Sequence, residues 1–516
     1  MTGHMVVISP APTANGDLHL GHIAGPFLAA DVYTRYLRAT GRRVLFGTGI
    51  QDTPTYVVTT ANRLGMAPRA LVARSAEQVA ATLAAMGIVV DAFTGDDARF
   101  IKGVLDFVDR LHATGKLHLR TMTFPYLPSK GEYLVDGYVR GGCPICLADG
   151  CAGLCESCGH PVAAGELIHP RSTMYPDDPV ELREADVLVL PMEEYRDALR
   201  EYFAGPGSAM RPHMAQAIRE MLSRPLPDYP VTYPITWGIP APFPEVAGQV
   251  INPNAEPMAW SIHCTALAAE SQGTVLATED ELWLAESDSK VVYFLGFDNT
   301  YPFAVAGIAM LLAHGGRYLL PEQFVTNEFY ELDNAKFSTS RGHVVWGRDL
   351  AAEVPRDLIR FHLAATSPEH QRTNYSHEAL AKVTQIRLVE PWNRIAEKVD
   401  QWVGRSPLPV SERSRAVAAR IGERFSASYE LSGFSLNRAA ETLAEQLIRL
   451  DRWAVEPGAE GDFCHEVNVV LRCAAPILID LAERALPDID ITIGDGTTTS
   501  ITPVSLPRLN AQGWVT

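Results

Sequence analysis

Short continuous apolar runs alternate with helical spacing through the first part of the chain. Val6-Val7-Ile8 is uninterrupted, breaks at Pro10, Pro12 and an Asn15-Gly16 pair, and gives way to a helical pattern from about His22 to Ala39. Arg42-Arg43-Val44-Leu45-Phe46 reads as a second buried strand that closes on Gly47-Thr48-Gly49. Strand, helix and strand in that order predict a βαβ unit and therefore a parallel sheet. Ligands of such sheets sit beyond the carboxyl ends of the strands, so the loops carrying His19 and Gln51-Asp52 are expected at one crevice. From about Arg69 to Leu117 the spacing is helical and rich in Ala and Leu, and this stretch is expected to be scaffold.

The α/β pattern is interrupted from about Arg120 to Pro234, which reads as an insertion. It resumes at Trp237-Gly238-Ile239-Pro240 and leads to the buried strand Val291-Val292-Tyr293-Phe294-Leu295-Gly296. From about Glu378 the chain is helical. Leu436, Ala440, Leu443, Leu447 and Leu450 share one face, and Val467, Val470, Leu471, Leu478 and Leu481 are expected on a later helix. The polar, Pro-containing end with Leu506-Pro507-Arg508-Leu509 is expected to pack back on the body. The expected organisation is a parallel-sheet α/β half over 1–119, an insertion over 120–234, a second α/β half over 235–370 and a helical domain with a tail over 371–516.

Composition narrows the chemistry. Of 516 residues, 47% are hydrophobic and 20% charged, which suits a protein with a large buried core. The formal net charge of −17 argues against a broad basic surface and leaves only a local groove for nucleic acid. No run has the length of a membrane span and the first residues lack a signal-peptide pattern, so a cytoplasmic location with no membrane partner is expected. Five of the 8 cysteines lie between Cys143 and Cys158, which points to metal binding in a reducing compartment and away from disulfides.

Cys143-Pro144-Ile145-Cys146 and Cys155-Glu156-Ser157-Cys158 are two Cys-x-x-Cys turns able to set four thiolates around Zn²⁺, with Cys151 spare or exchanging with Cys155. Four thiolates leave no open position, so this zinc is expected to be structural. The stretch from Ser9 to His22 places His19-Leu20-Gly21-His22 where a loop after a strand enters a helix. Free backbone N–H groups and the helix dipole make that an anion site, the histidines can donate to phosphate, and Gly21 admits a flat ring or ribose close to the backbone. Asp333-Asn334-Ala335-Lys336-Phe337-Ser338-Thr339-Ser340-Arg341 offers a lysine in a Ser/Thr-rich loop, which read alone is either a solvated turn or a partner for a leaving polyphosphate.

The first motif, in its Pro-x-Ala-Asn-Gly context, resembles the HIGH signature of class I aminoacyl-tRNA synthetases, the methionyl branch in particular. The cysteine cluster with Glu166-Leu167-Ile168-His169 is similar to that branch's zinc knuckle, and the Lys336 loop resembles its KMSKS loop. The resemblance covers about residues 5–365 and implies a fold: an α/β, Rossmann-like (HUP-type) parallel-sheet domain with an inserted zinc-knuckle domain and a C-terminal α-helical bundle. It implies His19, His22 and Lys336 as catalytic residues. It implies Asn15, Gly21, Gly296, Asp298, Ser338 and Ser340 as ATP contacts, with Asp298 on the ribose and Mg²⁺ accompanying the triphosphate.

Departures fall in the amino-acid pocket, for which the resemblance implies Thr13, Gln51, Asp52, Trp260 and Phe303. The family has tyrosine at Thr13, an ammonium-binding aspartate at Gln51, and a Trp-x-Asp-Ala-Pro segment best matched by Pro253–Trp260, where the pocket tryptophan is gone and Glu256 introduces a carboxylate. Phe297 and Thr339 stand where the family has lysines, with Arg341 a substitute cation for the second. The anticodon-reading Asn/Arg face is not visible between Val383 and Arg394, and Trp453 lacks its preceding proline. The expected activity is therefore an ATP-dependent ligase that forms an aminoacyl-adenylate, releases pyrophosphate and passes the acyl group to a small-molecule amine or hydroxylamine in natural-product biosynthesis. The synthetase-like halves of hydrazine-forming enzymes are relatives of this kind, and a separate cupin-type enzyme would then make the N–N bond. The alternatives are a divergent methionyl-tRNA synthetase with tRNA as partner and a catalytically silent paralogue.

Overall fold

The computed structural model describes residues 3–151, 153–337, 343–486 and 498–510, and for Cys151 and Lys336 the backbone alone. Ser338, Thr339, Ser340 and Arg341 lie outside the described residues. The chain divides into two compact units, one of Met1–Asp17, Leu45–Ala80 and Val90–Asn327, the other of Leu18–Val44, Ala81–Val89 and Glu328–Thr516.

The first unit is built on a five-stranded sheet of β1 (Met5–Ile8), β2 (Val44–Gly49), β3 (Ala92–Thr94), β4 (Lys290–Gly296) and β5 (Gln323–Asn327), in the order β5-β4-β1-β2-β3. β1 with β4, β4 with β5 and β2 with β3 pair parallel, as a βαβ sequence requires. Val6, Ile8, Leu45, Val291, Tyr293 and Leu295 enter one core with Phe100, Val104, Phe107 and Leu111 of helix Ala98–Ala113. β3 corrects the reading of Arg69–Leu117 as helical throughout. Three residues between helices Pro68–Ala85 and Ala98–Ala113 are too few to impose a period of two on the sequence.

The stretch from Arg120 to Pro234 is antiparallel where the sheet is parallel. Strand His118–Leu127 pairs with Glu181–Leu190 in a register running from Tyr126 with Glu181 to His118 with Val189. The cysteine turns lie between these strands in sequence, among short strands that include Val139–Gly142 and Ile168–Ser172.

The second unit is largely helical. Leu436, Ala440, Leu443, Leu447 and Leu450 are all buried on helix Leu436–Arg452, the face that spacing predicts. The later apolar stretch is two helices, Glu460–Ala474 and Ile479–Ala485, where spacing suggested one. Pro476 has no N–H to continue the ladder, and the carbonyls freed at Pro476 and Ile477 accept from the Arg360 guanidinium at 2.7 and 3.0 Å. The tail packs back as expected: Pro507 accepts from Trp392 Nε1 at 2.9 Å, and Leu509 exchanges hydrogen bonds with the Asn393 amide at 2.8 and 2.9 Å. Among the described residues no helix is long and apolar enough to cross a membrane.

Candidate functional site

In the second unit the chain enters a helical turn at Leu20–His22 with extended backbone at His19. Gly21 N–H donates to His19 Nδ1 at 3.1 Å, and His19 N–H donates to His22 Nδ1 at 3.3 Å. Both Nδ1 atoms therefore act as acceptors, which leaves the proton of each neutral ring on Nε2 and makes each Nε2–H a donor. The rings stack with centroids 3.9 Å apart, and Phe337 stacks on the His19 ring at 4.8 Å and 7°. Gly21 is what permits this stack, since a Cβ there would lie 2.9 Å from His19 Cε1 and 3.3 Å from the Phe337 ring. Val345 O accepts from Leu20 N–H at 3.0 Å, and Leu18 O accepts from Gly347 N–H at 3.1 Å, so the return from the Lys336 loop is fastened to the histidine turn.

Lys336 lies on a hairpin, Tyr330–Leu332 with Ala335–Lys336, that pairs Glu331 with Lys336. Asp333 and Asn334 take φ of 49° and 60°, the left-handed pair that the tightest hairpin turn demands, and Asp and Asn tolerate it better than most side chains. Lys336 thus directly precedes the ring that covers His19. The structure brings His19, Gly21, His22 and the Lys336 backbone together.

The first unit holds the remaining predicted residues. Thr13 bridges Gln51, with Ala14 N–H donating to Gln51 O and Gln51 N–H to Pro12 O, both at 2.9 Å. The Gln51 side chain donates to Pro253 O at 2.8 Å, and Asn15 N–H turns back to Thr13 O at 2.8 Å. Trp260 is buried with Nε1 donating to Thr94 Oγ1 at 2.7 Å, and Phe303 is buried with its ring 5.5 Å from that of Tyr293. Gly296 ends β4, and a Cβ there would sit 2.5 Å from Asp298 Oδ1, so the missing side chain lets this carboxylate fold back over the strand end. Phe297 stacks on His213 at 3.7 Å and 12°, an aromatic pair where the resemblance has a lysine.

Three carboxylates collect on the Gln51 loop. Thr53 Oγ1 donates to Glu256 Oε2 at 2.7 Å, and Asp96 N–H donates to Asp52 Oδ2 at 3.2 Å. Glu256 and Asp52 are 1% and 5% exposed, and Glu256 Oε1 and Asp52 Oδ1 are buried without a hydrogen-bond partner. Burial raises all three carboxyls. Asp96 is pushed up to about 7 by burial and by the charge of Asp52, and Glu256 goes well above its usual range through burial and the charge of Asp96. Arg69, stacked over Trp237 at 5.2 Å, pulls Asp52 and Asp96 back down. Thr53 and Asp96 are absent from the residues that the sequence suggested. The acidic Gly95-Asp96-Asp97 turn was visible, but its place depends on β3, which is too short to read.

Cys143, Cys146, Cys155 and Cys158 bring their Sγ atoms within 4.8 Å of one another. Two Sγ pairs stand at 4.0 and 3.6 Å, against about 3.8 Å for a tetrahedron with Zn–S bonds near 2.3 Å. Each turn closes through a left-handed residue, Leu147 at φ 64° and Gly159 at 72°, and Ile145 N–H donates to Cys143 Sγ at 3.4 Å. These residues fit zinc and would hold it as a closed, structural ion. The purified protein is expected to contain one zinc per chain by elemental analysis, and Cys146→Ser to lose most of it and melt at a lower temperature.

Residues 5–399 match the family model described as tRNA synthetases class I (M). The chain is similar to proteins named methionine–tRNA ligase. It is 28% identical to that of Thermobifida fusca over 452 residues, 82% of this chain and 74% of the relative. It is 28% identical to that of Bifidobacterium animalis over 94% of this chain and 81% of the relative, and 30% identical to that of Kineococcus radiotolerans over 78% and 70%. A solved structure of Mycobacterium tuberculosis methionyl-tRNA synthetase bound by methionyl-adenylate has the same fold, with a TM-score of 0.75 over 98% of this chain and 99% of that one at 17% identity.

Proposed function

The chain belongs to the class I tRNA synthetases of the methionyl type and is an ATP-dependent ligase that forms an aminoacyl-adenylate; from that premise we propose that it passes the acyl group to a small-molecule amine or hydroxylamine and not to tRNA. In the first step a carboxylate oxygen of the amino acid attacks the α-phosphorus of Mg²⁺-bound ATP. The bond to the bridging oxygen breaks and pyrophosphate leaves. The nucleophile is already ionised, so catalysis is positioning and charge stabilisation without a general base. His19 and His22 supply Nε2–H donors to phosphate oxygens, Lys336 offsets charge on the departing pyrophosphate, and Asp298 accepts from the ribose. The residues of the Gln51 loop, with Trp260 and Phe303, receive the amino acid. Nucleophilic nitrogen or oxygen of the acceptor then attacks the mixed anhydride and AMP leaves.

The observation that carries the acceptor reading is the state of helix Glu390–Asp400. Reading RNA bases takes amides and guanidiniums on an open face together with a stacking aromatic. Here the Asn393 amide donates to and accepts from Leu509, Arg394 holds Asp451 through two bonds of 2.9 Å, and Trp453 sits edge-on to Phe463 at 5.6 Å. Arg387, one turn earlier, is paired with Glu441. The chain's own groups occupy what an anticodon would need.

Aminoacylation assays with total tRNA, run beside acyl transfer to an N-hydroxylated amine such as N-hydroxylysine, test the proposal. Transfer to the hydroxylamine with no charging of tRNA is expected, and efficient methionylation of tRNA overturns it. That second reading, methionyl-tRNA formation, is favoured by the names of the relatives, which this chain matches over 74–81% of their length in two cases. Natural-product biosynthesis, with a cupin-type enzyme acting next, belongs to the first reading.

A further inference from the structure

We propose that the amino acid activated by this protein carries a second cationic group on its side chain, as a diamino or guanidino acid does, and that Glu256 is the carboxylate that receives it. This rests on the reading of the chain as an amino-acid-activating ligase and names its substrate class. The geometry is that of the Gln51 loop, where two consecutive residues, Asp52 and Thr53, bring Asp96 and Glu256 to one place. Two of the carboxylate oxygens there, Glu256 Oε1 and Asp52 Oδ1, are buried and unpartnered. A buried acceptor without a donor is costly, and the cost is removed when a ligand supplies the missing N–H. Arg69 bears on Asp52 and Asp96, whereas the charges that bear on Glu256 are those of Asp96 and Asp52, so Glu256 is the carboxylate that Arg69 does not serve. Asp97 caps helix Ala98–Ala113 through Phe100 N–H at 2.7 Å, and its charge adds to those that raise Asp96.

The α-ammonium of any amino acid can serve the unpartnered oxygen of Asp52, while its carboxylate is consumed by ATP. The unpartnered oxygen of Glu256 then calls for a donor on the side chain, and a cation is the donor that a buried carboxylate takes most strongly. Methionine has a thioether, which donates nothing to Glu256. With the Asp96 carboxyl pushed up to about 7 by burial and by Asp52, a cation that settles beside it is expected to expel protons at neutral pH.

The test is ATP–pyrophosphate exchange with L-ornithine, L-lysine, L-2,4-diaminobutyrate and L-arginine against L-methionine and L-norleucine, on wild type and Glu256→Gln. Calorimetric titration of the same amino acids into wild type, in two buffers of different ionisation enthalpy, accompanies it. The expected result is a kcat/KM at least tenfold higher for one of the basic amino acids than for methionine. Glu256→Gln then loses at least tenfold for that substrate, mostly in KM, and its preference for the basic amino acid over norleucine collapses. Proton release at pH 7 is expected with the basic amino acid and not with norleucine. Exchange with methionine or norleucine and none with the basic set overturns the inference and leaves the adenylation reading standing. Binding of a basic amino acid with proton release, but no exchange with any amino acid, supports the cationic site and overturns adenylation. Neither binding nor exchange overturns both.

Discussion

His22→Ala is expected to slow ATP–pyrophosphate exchange by about 10²–10³-fold, with little change in the KM for ATP and little change in melting temperature. The His22 ring is only partly buried and packs on another ring, so its removal opens no core cavity. What disappears is a donor with a fixed direction. Because His22 Nδ1 is held by His19 N–H, its Nε2–H cannot rotate away or swap tautomer without breaking that bond. A preorganised donor of this kind acts on charge that develops as pyrophosphate leaves, and therefore appears in kcat. Gly21→Ala is a companion experiment. Its Cβ would press on His19 Cε1, so exchange should fall although both histidines remain. An unchanged exchange rate in His22→Ala would remove the histidine turn from the chemistry.

The same turn shows why parts of the site were readable and others were not. A strand of contiguous apolar residues, an Asn-Gly break and a His-x-x-His at a helix start are local signals, and the structure keeps them local. The two Cys-x-x-Cys turns are likewise complete within sixteen residues, and thiolate spacing is a geometric demand that sequence spacing can express. The carboxylate group on the Gln51 loop is of the other kind. Glu256 stands out in the sequence as a carboxylate in an apolar context, but its partner Thr53 is two hundred residues away and Asp96 follows a three-residue strand. Long-range pairing leaves no periodicity in the chain. The engagement of Asn393 by Leu509 is similar. That the family's Asn/Arg face is missing between Val383 and Arg394 was legible, and only the fold shows that the tail engages Asn393. The break at Pro476 was present in the sequence, but the apolar spacing on either side runs on through it, and the proline outweighs the pattern because an interior helix position needs its N–H.

That break is the premise of the largest expected stability effect. Arg360 is fully buried, on helix Arg356–Ala365, and donates to Asp31 Oδ2 at 2.6 Å, to the carbonyls of Pro476 and Ile477, and to Met86 O at 3.2 Å. Burial opposes its charge, and Asp31 is the partner that restores it. Asp31→Ala leaves the guanidinium in the core without its hydrogen-bonded anion and is expected to destabilise this unit by about 3–5 kcal/mol, a fall on the order of 10 °C in melting temperature by scanning calorimetry. Arg360→Met should cost less. Asp31 keeps Arg35 Nε at 2.9 Å and the Val89 N–H at 3.4 Å, so its carboxylate is still paired, while three carbonyls lose a donor. In the double variant Asp31→Ala with Arg360→Met the fully buried charge is gone and Arg35, which also loses Asp31, is partly exposed, so it should melt above Asp31→Ala alone although it carries one more substitution. If the two single effects simply add, the pair is not the element that balances this core, and the stability of the unit rests on its apolar helix faces instead.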